Sequence, residues 1–416
     1  MRLSSALLAC LALSCGGSSA TTTVTPEPVR AAGATAAREE PPRDEAPTPR
    51  PEPPRFPHGE PELSRLQAQL DAALSSPEVR GLTTGLCVVD AATGALVAHH
   101  DEGRALVPAS NTKLFTTFAA LRALGPAARA KLTVSIAGSR KAGRVEALVI
   151  DGGAAPFGPP FEPLDGAFVA ASRALLRQGV RRVDRLVIET PAVVAPERFA
   201  ELDLVQHRDR TAEALRKAFG RAGVAVGRLA GEAPSPREPL VELEGPSIAS
   251  WIAPVNQLSH NGFADALSMH LGHRAGLGAS LAGGAAVVAR ELERAGVRGA
   301  TLTDGSGLSR RNHVTARAIA DLLLVAQRDE AFVASLSVSG EVGTLAKRLK
   351  DTPLAGHVHG KTGTLKEVIA TSGYLDHPGD GRRYAFAFVT NGVREGGGPN
   401  VRAAHDRWLS TIAAAW

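Results

Sequence analysis

The chain has 416 residues, a formal net charge of +5 and 44% hydrophobic residues, so it is long and apolar enough for more than one packed domain. Its Lys and Arg residues are dispersed and only 4% of its residues are aromatic, which argues against a nucleic-acid partner. With three cysteines and no His/Cys cluster at metal-binding spacing, the sequence predicts no disulfide scaffold and no metal site.

Residues 1–20 have the pattern of a secretory signal peptide, with Arg2 ahead of an apolar run from Leu3 to Leu13. The end of this run, Ala12-Leu13-Ser14-Cys15, is similar to a lipobox, which predicts cleavage and a lipid on Cys15 at the new N-terminus. Conventional cleavage near Ser18-Ser19-Ala20 is the alternative. Both interpretations predict export to the periplasmic side of the cell envelope, and the first also predicts a lipid anchor in a membrane.

Residues 21–61 hold 11 of the chain's 28 prolines and almost no large apolar side chains. Such a segment cannot bury enough surface to fold, so we predict a disordered, semi-extended spacer. A leader without any function would have the same composition.

Three local patterns predict the elements that follow the spacer. Leu63 to Leu74 has helical periodicity, and Gly85 to Asp90 with Ala95 to His100 have the alternation of a β-hairpin. Cys87 lies in the first of these strands and is expected in the core. The hairpin leads into Ser110-Asn111-Thr112-Lys113, directly before an apolar helical run.

Ser110 and Lys113 are three residues apart at this predicted helix start. Residues at i and i+3 are neighbours on a helix surface, so the Lys amine can reach the Ser oxygen. This pair makes a nucleophile with its own base, provided that burial or a second cation lowers the pKa of the Lys.

Residues 131–245 alternate strand-like runs with one clear helix, Leu164 to Gln178. We interpret this region as an inserted smaller domain. Beyond it, Ser259-His260-Asn261 falls in a turn between two predicted helices, and Asp304 to Arg310 is a Gly-rich loop. Lys361-Thr362-Gly363-Thr364 then lies in a predicted edge strand, followed by two more strands and a C-terminal helix from Val401 to Trp416.

S-x-x-K, S-x-N and K-T-G occur here in the order that is typical of serine penicillin-recognising enzymes. With Asp304-Gly305-Ser306-Gly307-Leu308-Ser309-Arg310, the chain from about Leu82 to its C-terminus resembles the D-alanyl-D-alanine carboxypeptidase/endopeptidase family of low-molecular-mass penicillin-binding proteins, the peptidase S13 type. The resemblance implies an α+β fold of the penicillin-binding-protein/β-lactamase type, an antiparallel sheet flanked by helices. Residues 62–130 and 246–416 would form the catalytic domain, and residues 131–245 an inserted smaller α/β domain.

The resemblance also implies roles for the motif residues. Ser110 would be the nucleophile, Lys113 its base and Ser259 a proton relay to the leaving amine. The substrate would be bound by the remaining motif residues, Asn261, Lys361, Thr362, Gly363 and Thr364. The role of Asn261 would be either to hold the substrate's backbone carbonyl or to orient Lys113. Lys361 would also help to keep Lys113 neutral, and Asp304 and Ser306 would support the residues that touch substrate. His260 stands where the signature has Asp, and we expect its side chain to point away from substrate.

These roles imply an acyl-enzyme on Ser110, with a peptidoglycan stem peptide as substrate and β-lactams as covalent inhibitors. Such a mechanism needs no metal and no other cofactor. A β-lactamase and a non-catalytic penicillin-binding sensor are the two alternatives to this function. A class A β-lactamase commonly has E-x-x-x-N between the second and third motifs and a class C enzyme Y-x-N, and neither fits this sequence. A non-catalytic penicillin-binding sensor would be indicated by a lost motif residue, and none is lost.

Overall fold

The computed structural model describes residues 57–157, 160–161, 163–194 and 204–416. The predicted signal peptide, Cys15 and residues 21–56 of the predicted spacer lie outside the described residues. The first helix begins at Glu60, inside the last residues of that spacer.

Ten helices are present in the described ranges, and none of them is both long and apolar enough to cross a membrane. In chain order they are α1 (Glu60–Leu74), α2 (Thr112–Leu124), α3 (Leu164–Arg177), α4 (Leu204–Arg221), α5 (Ile248–Gln257), α6 (Asn261–Arg274), α7 (Leu281–Arg294), α8 (Ala316–Ala326), α9 (Glu330–Ala334) and α10 (Gly398–Ala413). Helix α4 was not predicted.

The strands of the same ranges form two large sheets and two short pairs. They are β1 (Thr83–Asp90), β2 (Leu96–His100), β3 (Arg129–Lys141), β4 (Arg144–Asp151), β5 (Pro156–Phe157), β6 (Arg182–Thr190), β7 (Val193–Val194), β8 (Ala225–Ala230), β9 (Arg237–Ser247), β10 (Ala300–Thr301), β11 (His313–Val314), β12 (Ser337–Val338), β13 (Val358–Leu365), β14 (Val368–Asp376) and β15 (Arg383–Asn391).

The first large sheet has six strands in the order β12-β13-β14-β15-β1-β2, all antiparallel to their neighbours. The predicted hairpin forms its β1–β2 end. The K-T-G strand β13 was predicted at an edge, but β12 pairs with Gly360 and His359 and covers the first part of β13. From Lys361 onward, β13 has no strand on that side within the described residues.

The second large sheet has five strands in the order β8-β6-β4-β3-β9 and is built from residues 129–247. Its β4–β6 and β6–β8 pairs are parallel, and β3 is antiparallel to both of its neighbours. Helices α3 and α4 provide the crossovers that parallel neighbours require. The inserted domain of residues 131–245 stays a prediction.

Helix α2 is the centre of the structure and is buried on almost every side. It packs against α5, α6, α7 and α8, and its apolar side chains join one continuous core that reaches the five-stranded sheet. Helices α1 and α10 cover the opposite face of the six-stranded sheet through a second apolar cluster. The mixed helices and antiparallel sheet confirm the predicted α+β class, and they bring the start of α2 beside β13.

Candidate active site

Ser110 lies in a single 3-10 turn, Ala109–Asn111, that leads directly into α2. Ala109 has a φ of 49°, in the left-handed region where residues other than glycine are strained. Gly363 of the K-T-G strand leaves room for this turn, because a Cβ there would lie 2.9 Å from the carbonyl oxygen of Pro108. Glycine in the third motif thus allows β13 to lie against the Ser110 turn.

The Lys113 side chain is fully buried, and its Nζ has three hydrogen-bond partners. These are Ser110 Oγ at 3.0 Å, Asn261 Oδ1 at 2.8 Å and the carbonyl oxygen of Ser306 at 2.5 Å. Burial lowers the pKa of Lys113 to about 7, although the carboxylates of Asp265 and Asp304 oppose this shift. A neutral amine in this position can donate to two of the oxygens and accept the proton of the third, the Ser110 hydroxyl.

Ser259 and Asn261 lie in the predicted turn, between the end of α5 at Gln257 and the start of α6. Ser259 has a φ of 57°, so the chain bends sharply at this residue. Asn261 contacts Lys113 directly. The half-buried Ser259 side chain makes no hydrogen bond within the described ranges, so the structure joins Asn261, but not Ser259, to the Ser110–Lys113 pair.

The third motif lies on β13. Lys361 is fully buried and its Nζ donates to the carbonyl oxygen of Thr362 at 2.7 Å. The Thr362 hydroxyl donates to that of Thr344 at 2.8 Å, while Thr364 is exposed at the other end of the motif. The strand therefore offers hydroxyls along the edge that β12 does not cover.

Burial is the largest cause of the lowered pKa of Lys113. The predicted contribution of Lys361 to this shift stays a prediction. Burial and the nearby Lys113 lower the pKa of Lys361 well below its usual value. The two amines therefore disfavour two simultaneous positive charges.

Asp304 holds the Gly-rich loop in shape. Its carboxylate is buried and accepts hydrogen bonds from the N–H groups of Gly307 at 2.8 Å and Ser309 at 2.7 Å, and from Asn312 Nδ2 at 2.6 Å. The loop presents the carbonyl oxygen of Ser306 to Lys113. Ser306 therefore reaches the site through its backbone.

Asp265 was not among the predicted site residues. It follows Asn261 by four residues on α6, which places both side chains on one face of that helix. Asp265 Oδ1 accepts the N–H of Gly305 at 3.0 Å, and burial together with the charge of Asp304 raises the pKa of Asp265 to about 6. A carboxyl that titrates near neutral pH thus lies beside the buried amine.

His260 caps helix α6. Its Nδ1 accepts the N–H of Phe263 at 3.1 Å, and its ring stacks on that of Phe263 with centroids 4.1 Å apart. Burial and the charge of Lys113 lower the pKa of His260 to about 4, so it is neutral at physiological pH.

His260→Asp is expected to slow acylation at pH 7 by about tenfold or less. Aspartate is a good N-cap and keeps the hydrogen bond to Phe263, but its charge near Lys113 raises the pKa of that base. The check is the acylation rate against pH, with His260→Asn as a control that caps without charge. Coincident profiles of wild type and His260→Asp from about pH 5 to 8 would show that His260 has no influence on Lys113.

Gly307→Ala is expected to lower the free energy of unfolding by about 3 kcal/mol. Gly307 has a φ of 88°, and a Cβ there would collide with the carbonyl oxygen of Ala109, next to Ser110. Gly276 is the matched control, since its φ is 72° and its Cβ would have nothing within 4 Å. Gly276→Ala should cost only about 1 kcal/mol. If denaturant titrations gave both variants the same loss of unfolding free energy, the backbone around Gly307 would have moved to relieve the collision, and the prediction would be wrong.

Comparison with known proteins shows the family to which this chain belongs. Residues 66–201 and 196–412 match the sequence model of the D-Ala-D-Ala carboxypeptidase 3 (S13) family. A D-alanyl-D-alanine carboxypeptidase from an Actinomadura species is 29% identical, over 79% of this chain and 81% of that protein. Carboxypeptidase DacB from Mycolicibacterium smegmatis is 28% identical, over 83% of each protein.

Solved structures share the fold. Penicillin binding protein 4 (dacB) from Haemophilus influenzae, complexed with a β-lactam, gives a TM-score of 0.68 at 19% identity and covers 84% of this chain and 98% of its own. A predatory endopeptidase from Bdellovibrio bacteriovorus, in complex with an immunity protein, gives 0.56 at 16% identity and covers 80% and 93%. The chain therefore has the predicted penicillin-binding-protein fold, and it belongs to the peptidase S13 family of D-Ala-D-Ala carboxypeptidases.

Proposed function

We propose that this hydrolase removes the terminal D-Ala of peptidoglycan stem peptides through an acyl-enzyme on Ser110. The contact between Lys113 Nζ and Ser110 Oγ at 3.0 Å carries the proposal, because the amine is buried and its pKa is about 7. Such an amine can accept a hydroxyl proton at neutral pH, whereas a lysine with an ordinary pKa cannot.

In the proposed reaction, neutral Lys113 takes the Ser110 proton as Oγ attacks the carbonyl carbon of the D-Ala-D-Ala bond. The tetrahedral intermediate collapses when the leaving D-Ala amine receives a proton through Ser259. Water then attacks the ester on Ser110, and hydrolysis releases the shortened peptide and restores the hydroxyl. The relay role of Ser259 rests on the resemblance and on its position two residues before Asn261, which contacts Lys113.

Substrate binding is assigned to the edge of β13 and to Asn261. The N–H groups of Ser110 and Thr364 would bind the oxyanion. Lys361 and the hydroxyls of Thr362 and Thr364 would bind the terminal carboxylate, and Gly363 would let substrate lie close to the strand. Asn261 would hold a substrate amide as well as orient Lys113, which it already contacts at 2.8 Å.

D-Ala release from a pentapeptide, measured together with nitrocefin turnover, tests the proposal. We expect D-Ala release, stoichiometric labelling by penicillin and no sustained nitrocefin turnover. Rapid nitrocefin turnover without D-Ala release would indicate a β-lactamase. Labelling without turnover of either compound would indicate a penicillin-binding sensor.

Cleavage of peptide cross-links is a second candidate activity. The Bdellovibrio structural neighbour is described as an endopeptidase. The same acyl-enzyme serves both reactions, because only the leaving amine differs. Incubation with a cross-linked muropeptide dimer measures this activity directly, with Ser110→Ala as the control for contaminating hydrolases.

We also propose that a lipid on Cys15 holds the enzyme on the periplasmic side of the envelope. The lipobox-like sequence before Cys15 supports this proposal. Cys15→Ser is therefore expected to move the protein from the membrane fraction to the soluble periplasmic fraction. A wild-type protein that is already soluble, with its mature N-terminus near Thr21, would instead indicate ordinary secretion.

A further inference from the structure

A basic groove lies at the end of the six-stranded sheet, outside the contacts described for the Ser110 site. It has a volume of about 710 Å³ and is lined by the β13–β14 turn, the loop after β15 and the first turns of α10. Thr364, the last residue of the third motif, lines it as well. The groove is therefore continuous with the strand against which the substrate is proposed to bind.

The charges in this groove favour an anion. Its lining contains three cations, Lys366, Arg394 and Arg402, and two carboxylates, Glu367 and Glu395. Glu367 is 3.5 Å from Arg310, which offsets its charge. Among the described residues, none of the three cations has a carboxylate within ion-pair distance.

In the proposed binding mode, the groove lies at the end of β13 toward which the acyl half of the substrate would run, and it shares Thr364 with the site. With the leaving D-Ala carboxylate at Thr362 and the oxyanion at Thr364, the acyl half of the substrate continues past Leu365 toward the turn. An extended peptide advances about 3.3 Å per residue, so residues two to three positions ahead of the scissile bond would extend beyond Thr364 to the side of the turn where the groove lies.

We propose that this groove binds a carboxylate of the stem peptide on the acyl side of the scissile bond, through Arg394 and Arg402. The proposal rests on the proposed function, since it places the substrate by the same carboxylate and oxyanion contacts. Guanidinium groups match carboxylates in planar, two-point hydrogen bonds, which suits this role. Arg402 is half-buried, so it loses less freedom on binding than a fully exposed side chain.

Three synthetic substrates test the proposal. The first is the pentapeptide L-Ala-γ-D-Glu-L-Lys-D-Ala-D-Ala, the second the same peptide with the free α-carboxylate of its glutamate amidated, and the third is diacetyl-L-Lys-D-Ala-D-Ala. Arg402→Ala and Arg394→Ala are each expected to raise KM for the acidic pentapeptide about fivefold at low salt, with kcat unchanged. The amidated pentapeptide and the short peptide should show no change.

Arg407→Ala is the matched control. Arg407 is on the same helix as Arg402, but it pairs with Glu78 at 3.1 Å and does not line the groove. This variant removes the same charge and should leave KM for all three substrates unchanged. A rise in KM here would indicate a general effect of net charge and would overturn the proposal.

Two other results would also overturn it: an equal loss for all three substrates, or no loss for any of them. Penicillin labelling and turnover of the short peptide report separately on the Ser110 chemistry. If both persist while the arginine variants behave like wild type, only the groove is misassigned. If both fail in the wild type, the proposed function itself is wrong.

Discussion

The Ser110→Ala variant is expected to lose covalent labelling by a fluorescent penicillin completely while keeping the unfolding midpoint of the wild type. The labelled atom, Ser110 Oγ, is absent from the variant. The fold should persist because the change removes one half-buried hydroxyl, and Lys113 keeps its contacts with Asn261 and with the carbonyl oxygen of Ser306. The measurement is gel fluorescence after penicillin treatment, with thermal unfolding in parallel.

Two further serine variants test whether the loss of labelling is specific to Ser110. Ser410→Ala removes a hydroxyl on the exposed side of α10 that bonds only to its own helix, so labelling should equal that of wild type. Ser259→Ala should slow labelling without abolishing it, because a relay assists the reaction but does not form the covalent bond. Labelling of Ser110→Ala at the wild-type rate, with the adduct on Ser259 by peptide mass spectrometry, would reverse the two roles.

Much of the site could be predicted because its motifs act over short distances. The three-residue spacing of Ser110 and Lys113 becomes a contact as soon as that segment is helical. Likewise, the bend at Ser259 and the close approach at Gly363 are visible in the sequence as a turn and a glycine. These features depend on the geometry of short segments, which can be predicted from residue spacing and from turn and glycine positions.

Features set by distant partners could not be predicted in the same way. Asp265 matters because α6 packs beside the loop of Asp304, and no motif names that pairing. The two-residue strand β12 is too short to have a hydrophobic period, so β13 was predicted at an edge. The source of the low pKa of Lys113 also required the structure, since burial and the neighbouring charges act together.

The missed elements of residues 129–247 have local causes. Helix α4 is rich in charged residues, and among its described side chains the buried apolar ones are Ala212, Leu215, Ala218 and Phe219. Strand β9 contains Pro239 and Pro246, which normally argue against a strand. The two prolines are tolerated because β9 is an edge strand, where some backbone N–H groups have no neighbouring strand to bond to.

Lys113→Met is expected to lower the acylation rate by about 10²-fold or more while keeping the fold. Methionine fills nearly the same buried volume without an amine, so the loss measures the base and not a cavity. In wild type the acylation rate should rise with pH through about 7, because only the neutral form of Lys113 can accept the Ser110 proton. This rising limb of the pH–rate profile should be absent from Lys113→Met. A variant that keeps a limb near pH 7 would place the titrating base elsewhere.

Asp265→Asn is expected to move this rise of the acylation rate to lower pH. The carboxylate of Asp265 raises the pKa of Lys113, and its own pKa of about 6 means that it is mostly charged where Lys113 titrates. Asparagine keeps an oxygen for the N–H of Gly305 but removes the charge. The pKa of Lys113 should therefore fall, the limb should move to lower pH, and at pH 6 the variant should acylate faster than wild type. A limb that stays in place or moves to higher pH would show that Asp265 acts on the loop at Gly305 and not on the charge of Lys113.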